Sequence, residues 1–205
     1  MTEGPQKFSR RELLKRGAVV GGAVVWATPV VQTLGMGRAF AATPSDTCVA
    51  SWADQVEGFT QGLTKTGNPV PAARSNPANS LNAPNTTFVS LGYGGELIVR
   101  LAVPYYLTKN GEAVVVETSG GLPPYVAEVA QVYVSGSAAG PWVLAGSATN
   151  VNAAPNEKRS EIPLDTVPML PAIVRYVRLV DVTNSGPHDN ASDGFDVNAV
   201  GIGCP

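Results

Sequence analysis

Four aspartates, Asp181, Asp189, Asp193 and Asp196, fall within sixteen residues of one another. They lie in and beside Val182-Thr-Asn-Ser-Gly-Pro-His-Asp-Asn-Ala-Ser-Asp-Gly, a stretch dense in Asp, Asn and Gly. Oxygen-rich loops of this kind suit a hard cation. Calcium takes six to eight oxygens from carboxylates, carbonyls and water at about 2.3–2.6 Å. Glu117 closes a strand-like run that can neighbour the loop, so the candidate metal ligands are Glu117, Asp181, Asp193 and Asp196. The spacing is not that of an EF-hand loop. Asp193-Gly194 is also a good strand-end turn, and solvated loop carboxylates are the alternative reading.

Other chemistry is sparser. His188, in a polar loop after Pro187, is the single histidine and reads as a solvent-exposed residue. No serine sits in a Gly-x-Ser-x-Gly elbow, and no triad can be written without a positioned base. Glu96, Glu117 and Glu128 are available for two-carboxylate glycoside hydrolysis, but nothing fixes a pair at the separation it needs. Aromatic rings bind sugars by stacking on the apolar face of a pyranose. Tyr93, Tyr105, Tyr106, Tyr125 and Trp142 fall near expected strand ends. Tyr105 and Tyr106, after Pro104, read as the most loop-like, whereas Trp142 reads as a core or sheet-edge residue. Arg74, in a long loop, either meets a ligand carboxylate or pairs with an internal acid that holds the loop down. Arg74, Tyr105 and Tyr106 are therefore the candidate ligand-binding residues.

These groups must be positioned by strands. Short runs rich in Val, Ile, Leu, Tyr and Thr alternate with Gly, Pro, Asn and Ser, and no helical period appears beyond the N-terminal segment. The pattern predicts strands over 48–59, 87–91, 96–103, 113–118, 127–135, 142–148, 173–183 and 195–202. In the long run from 173, Arg175 and Arg178 fall on opposite faces. Asn-Pro and Ala-Pro steps break up 64–85, which therefore reads as a long internally packed or functional loop. About eight antiparallel strands with adjacent termini predict an all-β jelly-roll sandwich.

The beginning of the chain has a different purpose. Ser9-Arg10-Arg11-Glu12-Leu13-Leu14-Lys15 matches the twin-arginine export consensus. A weakly apolar stretch follows, interrupted by Gly and Pro, and Ala39-Phe40-Ala41 gives the small-x-small pattern read by signal peptidase. Residues 1–41 are thus expected to be a twin-arginine signal peptide that engages the translocase. Residues 42–205 then form one exported domain, with no stable membrane span after cleavage. Six of the fourteen basic and two of the sixteen acidic residues precede Ala42. That leaves eight against fourteen in the exported part, a net charge of −6, which argues against nucleic acid and anionic membranes as partners. Cys48 and Cys204 are the only cysteines. In an oxidising compartment they read as a disulfide that brings the first and last strands together.

Several segments, taken in order, carry a resemblance. They are Val70-Pro-Ala-Ala-Arg-Ser-Asn-Pro-Ala-Asn-Ser-Leu-Asn-Ala-Pro, Phe88-Val-Ser-Leu-Gly-Tyr-Gly-Gly-Glu-Leu, Val114-Val-Val-Glu-Thr, Ala130-Gln-Val-Tyr-Val-Ser, Arg175-Tyr-Val-Arg-Leu-Val-Asp and Asp193-Gly-Phe-Asp-Val-Asn-Ala-Val. The set resembles bacterial and archaeal secreted or cell-surface domains of the galactose-binding-like, discoidin-like jelly-roll type. The resemblance implies non-catalytic binding of carbohydrate or another surface ligand through loops at one end, with a structural calcium ion. Asn198 and Glu112 stand where that pattern has aspartates. A structural surface-layer or matrix component and a polysaccharide-acting hydrolase or lyase are the alternative functions.

Overall fold

The computed structural model describes residues 50–106, 110–118, 126–151 and 157–204. The expected signal segment and Cys48 lie outside them, as does Tyr125. Among the described residues there are nine strands: β1 (Ser51–Thr60), β2 (Val89–Ser90), β3 (Glu96–Tyr106), β4 (Glu112–Glu117), β5 (Val129–Ser135), β6 (Val143–Thr149), β7 (Lys158–Pro163), β8 (Ile173–Asp181) and β9 (Asp196–Gly203). Two short 3-10 helices, Ala72–Arg74 and Pro77–Ser80, are the only helices among these residues, and no helix there is long and apolar enough to cross a membrane.

Every strand pairing is antiparallel, along the path β6-β5-β8-β3-β1-β9-β4-β7, with β2 added beside β9. β1 belongs to both halves of this path. Its first residues, Ser51 and Trp52, pair with Ile202 and Gly201 of β9, and the remainder pairs with β3. The path therefore folds over at β1 into a five-stranded layer (β6-β5-β8-β3-β1) and a second layer (β1-β9-β4-β7 with β2). Its two free ends also meet. The Thr149 backbone N–H donates to Ser160 Oγ at 3.1 Å, and Ile162 packs so closely over Gly146 that a Cβ there would lie 2.9 Å from it. The result is a closed jelly-roll sandwich, the fold class expected from the sequence.

Alternation builds the core. Leu97, Val99 and Leu101 of β3, Ala130, Val132 and Val134 of β5, and Val177 and Leu179 of β8 all point inward and are buried. They meet Ala113 and Val115 of β4 and Val197 and Val200 of β9. The hydrophobic burial of these period-2 faces drives the two layers together.

The outer faces of the layers differ. On the second layer, Val114, Val116 and Ala199 form a small buried cluster against Trp52. The long segment 64–88 covers part of this face and is tied there by Asn198. The Asn198 amide donates to the carbonyls of Asn85 and Thr87, at 2.6 and 2.9 Å, and its Oδ1 accepts from the Asn85 N–H at 3.1 Å. An aspartate has no donors for the two carbonyls.

Two expectations change. β7 is an additional strand that the apolar pattern does not reveal. In Lys-Arg-Ser-Glu-Ile-Pro only Ile162 is buried, so an edge strand here reads as polar loop. Tyr105 and Tyr106 are not in a loop either. β3 continues through Pro104, which falls in an irregularity of the β3–β8 register between Arg100 and Tyr105, where a missing N–H is tolerated.

Candidate functional site

The polar residues gather in two places. The first is the end of the sandwich where β3 and β9 begin and β4 and β8 finish. Here Glu117, Glu128, Asp181, Asp193 and Asp196 are all buried. Asp181, the last residue of β8, accepts four hydrogen bonds. The Gly94 and Thr183 N–H groups donate to Oδ1, both at 3.2 Å, and the Phe195 N–H and Thr183 Oγ1 donate to Oδ2, both at 2.8 Å. It organises the turn into β9. Gly194 in that turn has φ +78°, and a Cβ there would sit 2.9 Å from Asp181 Oδ2, so the position requires glycine.

Arg74 pairs with Asp193, Nη2 to Oδ2 at 3.0 Å. The carboxylate is thus an internal acid, and the pair pins the first 3-10 helix to the β9 turn. Gln61 donates to the Ser90 carbonyl at 2.9 Å, and Ser90 Oγ donates to Asp196 Oδ1. The Lys65 ammonium donates to the carbonyls of Gly186 (3.0 Å) and His188. Two stretches distant in sequence, 61–95 and 183–196, are thereby knotted together.

His188 is buried, not exposed as the sequence suggested. Its Nε2 lies 3.2 Å from the Ala127 carbonyl, and its Nδ1 lies 3.3 Å from Ser192 Oγ and 3.8 Å from Glu128 Oε1. Tyr93 meets it edge-on and shares a 2.8 Å hydrogen bond with Ser192. Ser, His and Glu do come together here, but both partners are on the same ring nitrogen and a main-chain carbonyl occupies the other. A hydrolytic triad needs the nucleophile and the acid at opposite nitrogens. The arrangement locks a loop.

Burial dominates the electrostatics. It pushes the Glu128 carboxyl up to about 9 and Glu117 up to about 8, with Asp196 adding to both shifts. Asp196 itself rises to about 7, although the Ser90 hydroxyl opposes the rise. Burial also raises Asp181 and Asp193, opposed at Asp181 chiefly by the Phe195 N–H and at Asp193 by Arg74. Glu117 is fully buried, and neither of its oxygens has a hydrogen-bond partner among the described residues. A carboxyl so placed is held in its proton-bearing form.

A calcium shell needs several oxygens converging on one point. Glu117, Asp181, Asp193 and Asp196 do share this end of the molecule. Yet both oxygens of Asp181 are filled by donors, Asp193 faces Arg74 and Asp196 faces Ser90. Among the described residues no three of His, Cys, Asp and Glu group as a metal centre. Three of the four thus have partners within the chain, and Glu117 alone has both oxygens without one among the described residues.

The candidate ligand residues are not brought together. Arg74 is at the acidic end, while Tyr105 and Tyr106 close β3 at the opposite end, about 30 Å along the strand. Tyr105 is in the core, tucked so tightly over Gly111 that a Cβ there would be 2.4 Å from its ring. It has no free face for a sugar. Tyr106 is exposed and pairs with Ile173.

The second polar gathering is on the open face of the five-stranded layer, and the sequence reading did not assemble it. Antiparallel register places Tyr133 of β5 opposite Arg178 of β8, Arg178 opposite Ile98 of β3, and Ile98 opposite Gly58 of β1. In the next row Ser135 faces Tyr176, and Tyr176 faces Arg100. Tyr133, Tyr176 and Trp142 are partly exposed. The Arg178 guanidinium carbon lies 5.4 Å from the Tyr133 ring centre and 6.0 Å from that of Trp142. The same guanidinium pairs with Glu96 at 2.5 Å. Arg100 grips Asp54 through two parallel bonds of 3.1 and 3.2 Å. Tyr133 donates to Gln131 Oε1 at 2.7 Å. The signal for this face was the outward parity of Tyr133 and Arg178, which becomes informative only once register is known.

No family model matches the chain, and no curated protein matches it. Solved structures do. One is a truncated AlyQ with CBM32 and alginate lyase domains (TM-score 0.47, 14% identity, 77% of this chain); this chain spans about a third, 34%, of that structure's length. The CBM32 of AlyQ in complex with 4,5-unsaturated mannuronic acid has TM-score 0.46 and 15% identity over 74% of this chain and 97% of that one. A family 35 carbohydrate binding module from Clostridium thermocellum has TM-score 0.33 and 11% identity over 76% and 88%.

Proposed function

We propose that the domain is a non-catalytic carbohydrate-binding module that works outside the cytoplasm. One observation carries this reading: Tyr133, Trp142 and Tyr176 stand partly exposed around Arg178 on the open face of a paired sheet. Such rings offer a flat apolar surface at low cost in side-chain entropy. A pyranose presents C–H groups to a surface of this kind and keeps its hydroxyls for polar neighbours. The supporting strands fix the rings before any ligand arrives, which limits the ordering cost of binding. The buried His188, Asp181 and Asp193, by contrast, are committed to holding loops.

Affinity electrophoresis through immobilised polysaccharides tests the reading. At least one polysaccharide is expected to retard the wild-type protein, with retardation reduced about tenfold or more in Trp142→Ala. No retardation by any polysaccharide would refute it.

In this reading the twin-arginine motif delivers the module and Cys48 joins Cys204. β1 and β9 run side by side three residues beyond Cys48 and two before Cys204, at the Ser51–Ile202 pair. Closing so long a loop stabilises by about 5 kcal/mol in the chain-entropy model. Reduction of the mature protein is therefore expected to lower its melting temperature by at least ten degrees. An unchanged melt would remove the disulfide.

A further inference from the structure

We infer that the open face of the five-stranded layer takes a neutral polysaccharide segment lying across the strands, and rejects acidic ones. The inference rests on the binding reading above and names the ligand class of that same face. The row from Leu144 through Tyr133, Arg178 and Ile98 to Gly58 crosses five strands. At the usual inter-strand spacing it is about 19 Å long, room for several sugar units. Gly58 closes the row without a side chain, and the Ile98 side chain lies beside it.

Charge decides the class. Both arginines paired across this face already have carboxylate partners, Arg178 with Glu96 and Arg100 with Asp54. A uronate that approached either guanidinium would meet a protein carboxylate already paired there, setting two like charges side by side. An unpaired charge set against the wrong ligand is how binding sites discriminate. The net charge of −6 on 42–205 acts in the same direction. A neutral sugar meets no such obstacle. Its hydroxyls donate to the carboxylates of Glu96 and Asp54 and to Gln131, and accept from the guanidinium N–H groups, while its C–H face covers Tyr133 or Trp142. Each ion pair thus offers a donor and an acceptor side by side, matched to neighbouring hydroxyls.

The test compares the full chain with Tyr133→Ala, Trp142→Ala and Glu96→Gln. The probes are β-glucan, galactomannan and xylan as neutral polymers, and alginate and polygalacturonate as acidic ones, at one fixed ionic strength. Thermal melts confirm that each variant is folded. Wild type is expected to bind at least one neutral polymer about fivefold or more tightly than either acidic one. Each aromatic variant should weaken that binding several-fold. Glu96→Gln, which frees Arg178, should gain binding to alginate or polygalacturonate. A wild-type preference for the acidic polymers would overturn the inference and leave carbohydrate binding standing. So would neutral binding indifferent to both aromatic substitutions, which would put the ligand elsewhere. Failure to bind any of the five polymers would overturn both readings.

Discussion

At the acidic end, Asp181 fills both its oxygens with four donors, Arg74 is spent on Asp193, and His188 is wedged between a carbonyl and Ser192. On the open face of the five-stranded layer, Arg178 and Glu96 are each about 30% exposed and the rings beside them reach solvent. Both regions are built from the same residue types. What separates them is where their hydrogen bonds end. Asp181, Asp193 and His188 face inward, find their partners within the chain and hold loops there. Outward-facing groups on a paired sheet are positioned by strands that need nothing from them, so their remaining bonds are available to a ligand. The acidic residues that attract attention in the sequence belong to the first class.

The contrast can be broken by exchanging a partner at one end and watching the other. The largest effect is expected for Asp181→Ala. It strands four donors in a buried turn and should cost about 3–5 kcal/mol in urea unfolding. Below its melting temperature the variant should still bind any glycan that wild type binds. Loss of binding at full folding would show that the loop end contributes directly.

Next comes pH. The folded pKa values of Glu117, Glu128 and Asp196 are raised by burial to about 8, 9 and 7, above their unfolded values. Between pH 4.5 and 9 the native state therefore binds more protons than the unfolded chain, and stability falls as pH rises. The melting temperature should decline steadily from pH 5 to pH 9. A rise over that window would mean that these carboxyls are ionised and paired.

Trp142→Ala should then change stability by no more than about 1 kcal/mol, because the ring is partly exposed, while glycan binding drops. A large loss of stability would place Trp142 in the structural class. The smallest effect belongs to chelation. EDTA is expected to leave the melting temperature unchanged, and a fall would return calcium to Glu117 and its neighbours.

The sandwich was legible because period-2 alternation is a local signal. β3, β5 and β8 carry it strongly, and Asn-Pro steps set off the long segment between β1 and β2. β7 was not, because an edge strand with one buried side chain has almost no alternation. Arg74 was readable as a clamp onto an internal acid, although which acid depends on a turn more than a hundred residues away. Tyr105 was misplaced because Pro104 ordinarily ends a strand, and here it falls where the ladder is already irregular. His188 was misplaced because its burial is created by Tyr93 and Ala127, which are distant in sequence. The open face was missed for the same reason. Tyr133, Trp142, Tyr176 and Arg178 form no motif until β5 and β8 are set in register.

The most direct measurement is an NMR titration of the isotopically labelled protein with the polysaccharide it binds, cut to soluble fragments. Shifts should concentrate on the Trp142 indole N–H, the Arg178 guanidinium and the amides of Tyr133 and Tyr176. Shifts confined to Arg74 and residues 183–195, with the sheet face silent, would contradict the account.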